Sequence, residues 1–185
     1  MRRTIVFLSV AGALAAAPLA AQDSTPTPRP PDSTHADSTP PPPTPEQQRW
    51  MQGLRTAARG IGQIKSGIEG VQRVQGSTST TQIKRAGKLL AGYCGTARGF
   101  MRSGVAKMSS TAYPVGDNRT IAKQVVTQID SVIRESTTCE QQAGRDPNGS
   151  VDRLTLILRS YETAIAAWRA MAGLPALPPT RPPAR

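Results

Sequence analysis

Residues 46–75 read EQQRWMQGLRTAARGIGQIKSGIEGVQRVQ, and the spacing inside that stretch decides the fold. Trp50, Leu54, Ala57, Ile61, Ile64, Ile68 and Val71 alternate at intervals of four and three, the repeat that keeps one face of an α-helix apolar. A helix is therefore predicted from about 46 to 75, with Pro45 at or just before its first turn, where a missing N–H costs nothing. Gly76-Ser77-Thr78-Ser79-Thr80 interrupts the pattern and offers hydroxyls to cap the next helix.

The same periodicity recurs three times downstream. A second helix, about 80–110, is expected to bury Ile83, Ala86, Leu90, Tyr93, Ala97, Phe100, Val105 and Met108 and to end at Tyr113-Pro114-Val115-Gly116. A third, about 118–142, is expected to be capped by Asp117 or Asn118, with Ile121, Val125, Ile129, Val132, Ser136 and Cys139 inward. Asp146-Pro147-Asn148-Gly149 reads as a turn. A fourth helix, about 151–172, is expected to be capped by Asn148 or Ser150 and to bury Leu154, Ile157, Leu158, Tyr161, Ile165, Trp168 and Met171. No strand alternation competes, so the fold expected for residues 46–173 is all-α, an antiparallel up-down-up-down four-helix bundle.

The flanks differ in kind. Residues 1–21 have a basic start at Arg2 and Arg3, an apolar run from Ile5 to Ala17 and small residues up to Ala21, the pattern of a signal peptide. Export to a periplasm or to the medium is expected. Residues 22–45 form a Pro/Ser/Thr-rich linker in which Asp-Ser-Thr occurs three times, too poor in apolar side chains to offset its ordering entropy. Residues 174–185 form a second proline-rich tail.

In an exported chain two cysteines most often pair, and Cys94 and Cys139 fall on or beside the apolar faces of the second and third helices. A disulfide is expected between them. The rival, a reactive free thiol, lacks an activating histidine, since the single His35 lies in the linker.

Ten glycines interrupt the first two helical patterns, at 53, 60, 62, 67, 70, 87, 92, 95, 99 and 104, and the two later patterns contain none. Each costs about 1 kcal/mol relative to alanine inside a helix, so ten approach the roughly 5–15 kcal/mol a whole domain has to spare. Gly53, Gly60 and Gly67 recur every seven residues, each just before a core position, which suggests a seam where a neighbouring backbone approaches closely. The competing idea is that these helices are loose enough to reshape around a partner.

The glycine-rich half also carries the charge. Of the formal +11, the first two helices hold +9 and the last two balance. On the second helix Lys84, Lys88, Arg98 and Arg102 fall within an arc of about 80° opposite the core, at about 100° per residue. On the first, Arg55, Arg59 and Arg73 face away from the apolar stripe. A solvated face is the plain reading; the functional one is a contact for an anionic polymer, an anionic membrane surface or an envelope protein, weakening as salt rises.

Catalytic chemistry has little to work with. Asp130, Glu135 and Glu140 on the third helix read as solvated acids or partners of Arg134 rather than an acid pair for catalysis. No phosphate loop, nucleophile elbow or acidic calcium loop is present in the sequence. The bundle size and the stretch at 60–68 resemble exported cytochromes of the cytochrome c prime type, but the two cysteines followed by histidine that hold their haem are absent. The expectation is an exported, non-enzymatic binding protein without cofactor or metal; the alternative is an accessory subunit of an envelope complex. In that alternative the glycine seam and Trp50 or Trp168 touch another protein, and the charge serves only solubility.

Overall fold

The computed structural model describes residues 42–176. The expected signal peptide, the linker up to Pro41 and the tail beyond Ala176 lie outside the described residues. Within them are four α-helices and no strand: α1 (Pro45–Arg73), α2 (Thr80–Val105), α3 (Asp117–Gln142) and α4 (Pro147–Met171), with a short 3₁₀ turn at Ser110–Ala112.

Local chemistry sets the ends. Thr44 caps α1 through a reciprocal box: its hydroxyl accepts the Gln47 N–H at 3.2 Å, and its own N–H donates to the Gln47 side-chain oxygen at 2.9 Å. Ser79 caps α2 by accepting from the Gln82 N–H. Two expected caps are corrected. The residue before α3 is Gly116, at φ 127°, where side chains rarely fit, and no side chain caps that helix. The cap of α4 is Asp146, whose carboxylate accepts the Gly149 N–H at 2.9 Å, so Pro147-Asn148-Gly149 forms the first turn of the helix. Gly149 is thus one helical glycine in the second half. At the other boundary α2 stops at Val105, about five residues short of its expected end.

Each helix packs most closely on its neighbours in sequence. Along α1 and α2, Gly53 meets Gly104 and Met108, Gly60 meets Ala97 and Met101, and Gly67 meets Leu90 and Tyr93, so the two run antiparallel in a register that advances one heptad per step. The core is fully shielded at Trp50, Ile64, Leu90, Met101, Ile129 and Leu154, each contributing about 1.5–3 kcal/mol by burial. On α2 the inward face is Ala86, Leu90, Cys94, Ala97 and Met101; Tyr93 is exposed, and Ile83, Phe100 and Val105 are only half-buried. From Leu90, steps of three, four and three lead to Tyr93, Ala97 and Phe100, and steps of four, three and four to Cys94, Ala97 and Met101. The repeat fits both sets, and packing selects the second. Ile121, Ile157 and Met171 are likewise half-buried at the edges of their stripes.

One end of the domain is closed by aromatic rings. Trp50 from α1 and Trp168 from α4 lie with centroids 5.1 Å apart, and Tyr113 meets Trp50 edge-on at 5.4 Å. The Trp168 indole N–H donates to the Tyr113 hydroxyl at 3.1 Å. Lys65 and Glu162, paired at 2.5 Å, join α1 to α4 further along.

Candidate functional site

The α1–α2 seam is built from missing side chains. A Cβ on Gly60 would sit 2.6 Å from the Ala97 carbonyl oxygen, and one on Gly67 would sit 2.8 Å from Leu90 Cδ1 and 3.1 Å from Tyr93 Cδ2. At Gly60 the obstacle is backbone and only a hydrogen fits; at Gly67 it is the Leu90 and Tyr93 side chains, which would have to shift. Gly87 serves the other side of α2, where a side chain would collide with the Ala143 carbonyl and Pro147. Gly62, Gly70, Gly92 and Gly99 are different: a Cβ on any of them would meet nothing within 4 Å. The ten glycines thus divide into those that let helices touch and those that merely leave the outer surface low.

Cys94 and Cys139 form a disulfide across 6.2 Å between Cα atoms, tying α2 to α3 over 45 residues of chain. That link repositions one member of the expected basic arc. Arg98, one turn beyond Cys94, is carried against α3, where it pairs with Glu140 at 2.6 Å and reaches the Thr137 hydroxyl at 3.4 Å. Its side chain is only 25% exposed, so it is a bridge between helices rather than part of the open face. The Glu140 carboxylate in turn lies over Gly95, 2.9 Å from where a Cβ would be. Arg134 takes neither neighbouring acid; it donates to Ser131, while Glu135 pairs with Arg153 at 3.0 Å.

The remaining cations stay open. Lys84, Lys88 and Arg102 on α2, with Arg55, Arg59 and Arg73 on α1, are exposed and make no ion pair among the described residues. Arg49 and Arg85 share that state, which brings the exposed, unpaired cations of the hairpin to eight. Arg85 is at about 100° from Lys84 and falls outside the arc that spacing defines, on the side turned to α1. The only acids on the two helices are Glu46 and Glu69.

Between the helices on this outer side runs a groove of about 350 Å³. Its floor is Gly67 and Gly70, its apolar wall Leu89 and Tyr93, and Arg73 and Arg85 stand at its rim. Leu89 is 58% exposed and Tyr93 41%. Periodicity assigns Tyr93 to the core and passes over Leu89, so this wall is invisible in the sequence. Comparison with protein-family models, with curated proteins and with solved structures found no match.

Trp50 and Trp168 are 0% and 4% exposed, and the glycine seam is filled by α2. Two polar atoms carry a cost. The Trp50 indole N–H and the Gln63 side-chain oxygen are buried without a hydrogen-bond partner, each disfavoured by about 1–3 kcal/mol. Among the described residues no helix is long and apolar enough to cross a membrane.

Proposed function

We propose that the chain is an exported, non-enzymatic binding protein, an up-down-up-down helical bundle on a proline-rich tether whose α1–α2 hairpin contacts an anionic polymer or envelope surface. The observation that carries this reading is the set of eight exposed, unpaired cations on two helices that hold only two acids. Such a field attracts a polyanion by releasing its counterions, and the attraction weakens steeply with salt. The disulfide supports export, because such bonds persist in oxidising compartments.

Titration with soluble polyphosphate at rising salt tests the reading. The logarithm of the association constant should fall linearly with the logarithm of salt, with a slope near −0.7 to −0.9 for each phosphate neutralised. An accessory subunit whose charge serves only solubility would show no specific binding, only the weak low-salt attraction that a net charge of +11 gives.

A further inference from the structure

The exposed face of the hairpin is not uniformly polar, and that separates two kinds of anion. A hydrophilic polyanion needs only cations. Here Leu89 and Tyr93, 58% and 41% exposed, line the same groove as Arg73 and Arg85, beside the arc of cations on α2. Exposed leucine amid arginine fits a ligand that is itself amphiphilic, acidic on its surface and apolar beneath. The shape agrees. Gly62, Gly70, Gly92 and Gly99 remove relief from the outer side of both helices, leaving two adjacent backbones with little side-chain cover around the cations.

Building on the anionic contact proposed above, we infer that the outer face of the α1–α2 hairpin docks on an anionic lipid surface. Leu89 and the Tyr93 ring enter the boundary between headgroups and acyl chains, while Arg73 and Arg85, which line the same groove, engage the lipid phosphates. Tyrosine suits that depth, since its ring is apolar and its hydroxyl stays wet. Gly67 lets the ring lie close against α1, since a Cβ there would meet Tyr93 Cδ2 at 3.1 Å and displace it by a few tenths of an ångström. A second copy of this chain is a poor occupant, because two faces of this charge repel each other. A small polar anion would leave Leu89 in water.

Co-sedimentation of the mature chain, residues 22–185, tests the inference, using vesicles of phosphatidylcholine alone, vesicles of phosphatidylcholine mixed with phosphatidylglycerol, and soluble polyphosphate as a third arm. Binding is expected to the mixed vesicles and not to the neutral ones. Leu89→Ser should weaken vesicle partition roughly tenfold, and Arg73→Gln with Arg85→Gln roughly thirtyfold. Leu89→Ser should leave polyphosphate binding unchanged. Leu89 is largely in water, so this variant keeps the fold, and circular dichroism together with the intact disulfide verifies that. Polyphosphate binding without vesicle binding, or vesicle binding that Leu89→Ser leaves intact, overturns the lipid inference while the anionic contact stands. Failure to bind either anion overturns both.

Discussion

Gly53 and Gly104 face each other across the α1–α2 seam so closely that a Cβ on either would lie 2.6 Å from the other's carbonyl oxygen. The obstruction is reciprocal and consists of backbone, which has no rotamer to yield. Gly53→Ala and Gly104→Ala are each expected to lower stability by about 1–3 kcal/mol despite alanine's better helix propensity, as overpacked core sites do. Urea denaturation followed by circular dichroism measures it. A neutral or stabilising result at both positions would show that the helices separate without cost.

The opposite sign is expected at the open glycines. A Cβ on Gly62 or Gly99 would meet nothing within 4 Å, so alanine there adds helix propensity and removes unfolded-state entropy without a clash. Gly62→Ala and Gly99→Ala should each stabilise by about 0.5–1 kcal/mol. If these glycines are kept low for docking, vesicle binding should weaken while stability rises. Thermal melts paired with the sedimentation assay read both effects.

The division between these two groups of glycines marks how far the sequence could be read. Helix number, the heptad seam at 53, 60 and 67, and the positions of the cysteines follow from spacing alone, because spacing determines which residues share a face. Which partner that face meets is a tertiary fact. Arg98 sits at the edge of its arc, and only the approach of α3 to Cys94 brings Glu140 within 2.6 Å of it. Tyr93 illustrates the same limit: it lies about 100° round the helix from the buried Cys94, and the choice between them depends on how deeply α2 sinks against Gly67. The Asp146 cap is hidden for a local reason, since Asp-Pro-Asn-Gly is both a turn sequence and a good helix start with proline in the first turn.

Removing the staple should be costly. Cys94 and Cys139 close 45 residues of chain, for which loop entropy alone gives about 4 kcal/mol. Cys94→Ser with Cys139→Ser, or reduction of the natural protein, is expected to lower the melting temperature markedly and with it the free energy of unfolding by a few kcal/mol. Both sulfurs are fully buried, so reduction under native conditions should be slow and should accelerate in mild denaturant. A melting curve unaffected by reductant would mean that packing alone fixes α2 against α3.

Alkaline pH offers a separate handle on the core. Burial, and then the neighbouring Glu162 carboxylate, push the Tyr161 hydroxyl up to about 12 from 10.0. The folded chain therefore holds that proton through a range where the unfolded chain has released it. Stability from this group is complete below pH 10 and is lost as pH rises towards 12, by roughly 2–3 kcal/mol in all. Tyr161→Phe cannot ionise, so its stability should fall less between pH 9 and pH 12 than that of the natural protein. Denaturant midpoints at the two pH values provide the comparison, and parallel declines would refute the assignment.

Arg98 and Lys88 lie on the same helix and carry the same charge, yet they should answer differently to substitution. Lys88 is exposed and unpaired, so Lys88→Gln removes one cation from the field and is expected to reduce the salt slope of polyphosphate binding by about one phosphate's share. Arg98 already neutralises Glu140 and bridges α2 to α3, so Arg98→Gln should leave that slope nearly unchanged. Its cost appears in stability instead, about 1 kcal/mol or less, because Glu140 remains 42% exposed and water screens the pair. Glu140→Gln completes the comparison, since it frees Arg98 and should raise the slope if the guanidinium then turns outward. Equal losses of salt dependence from Arg98→Gln and Lys88→Gln would place Arg98 back among the free cations and remove the distinction that the disulfide imposes.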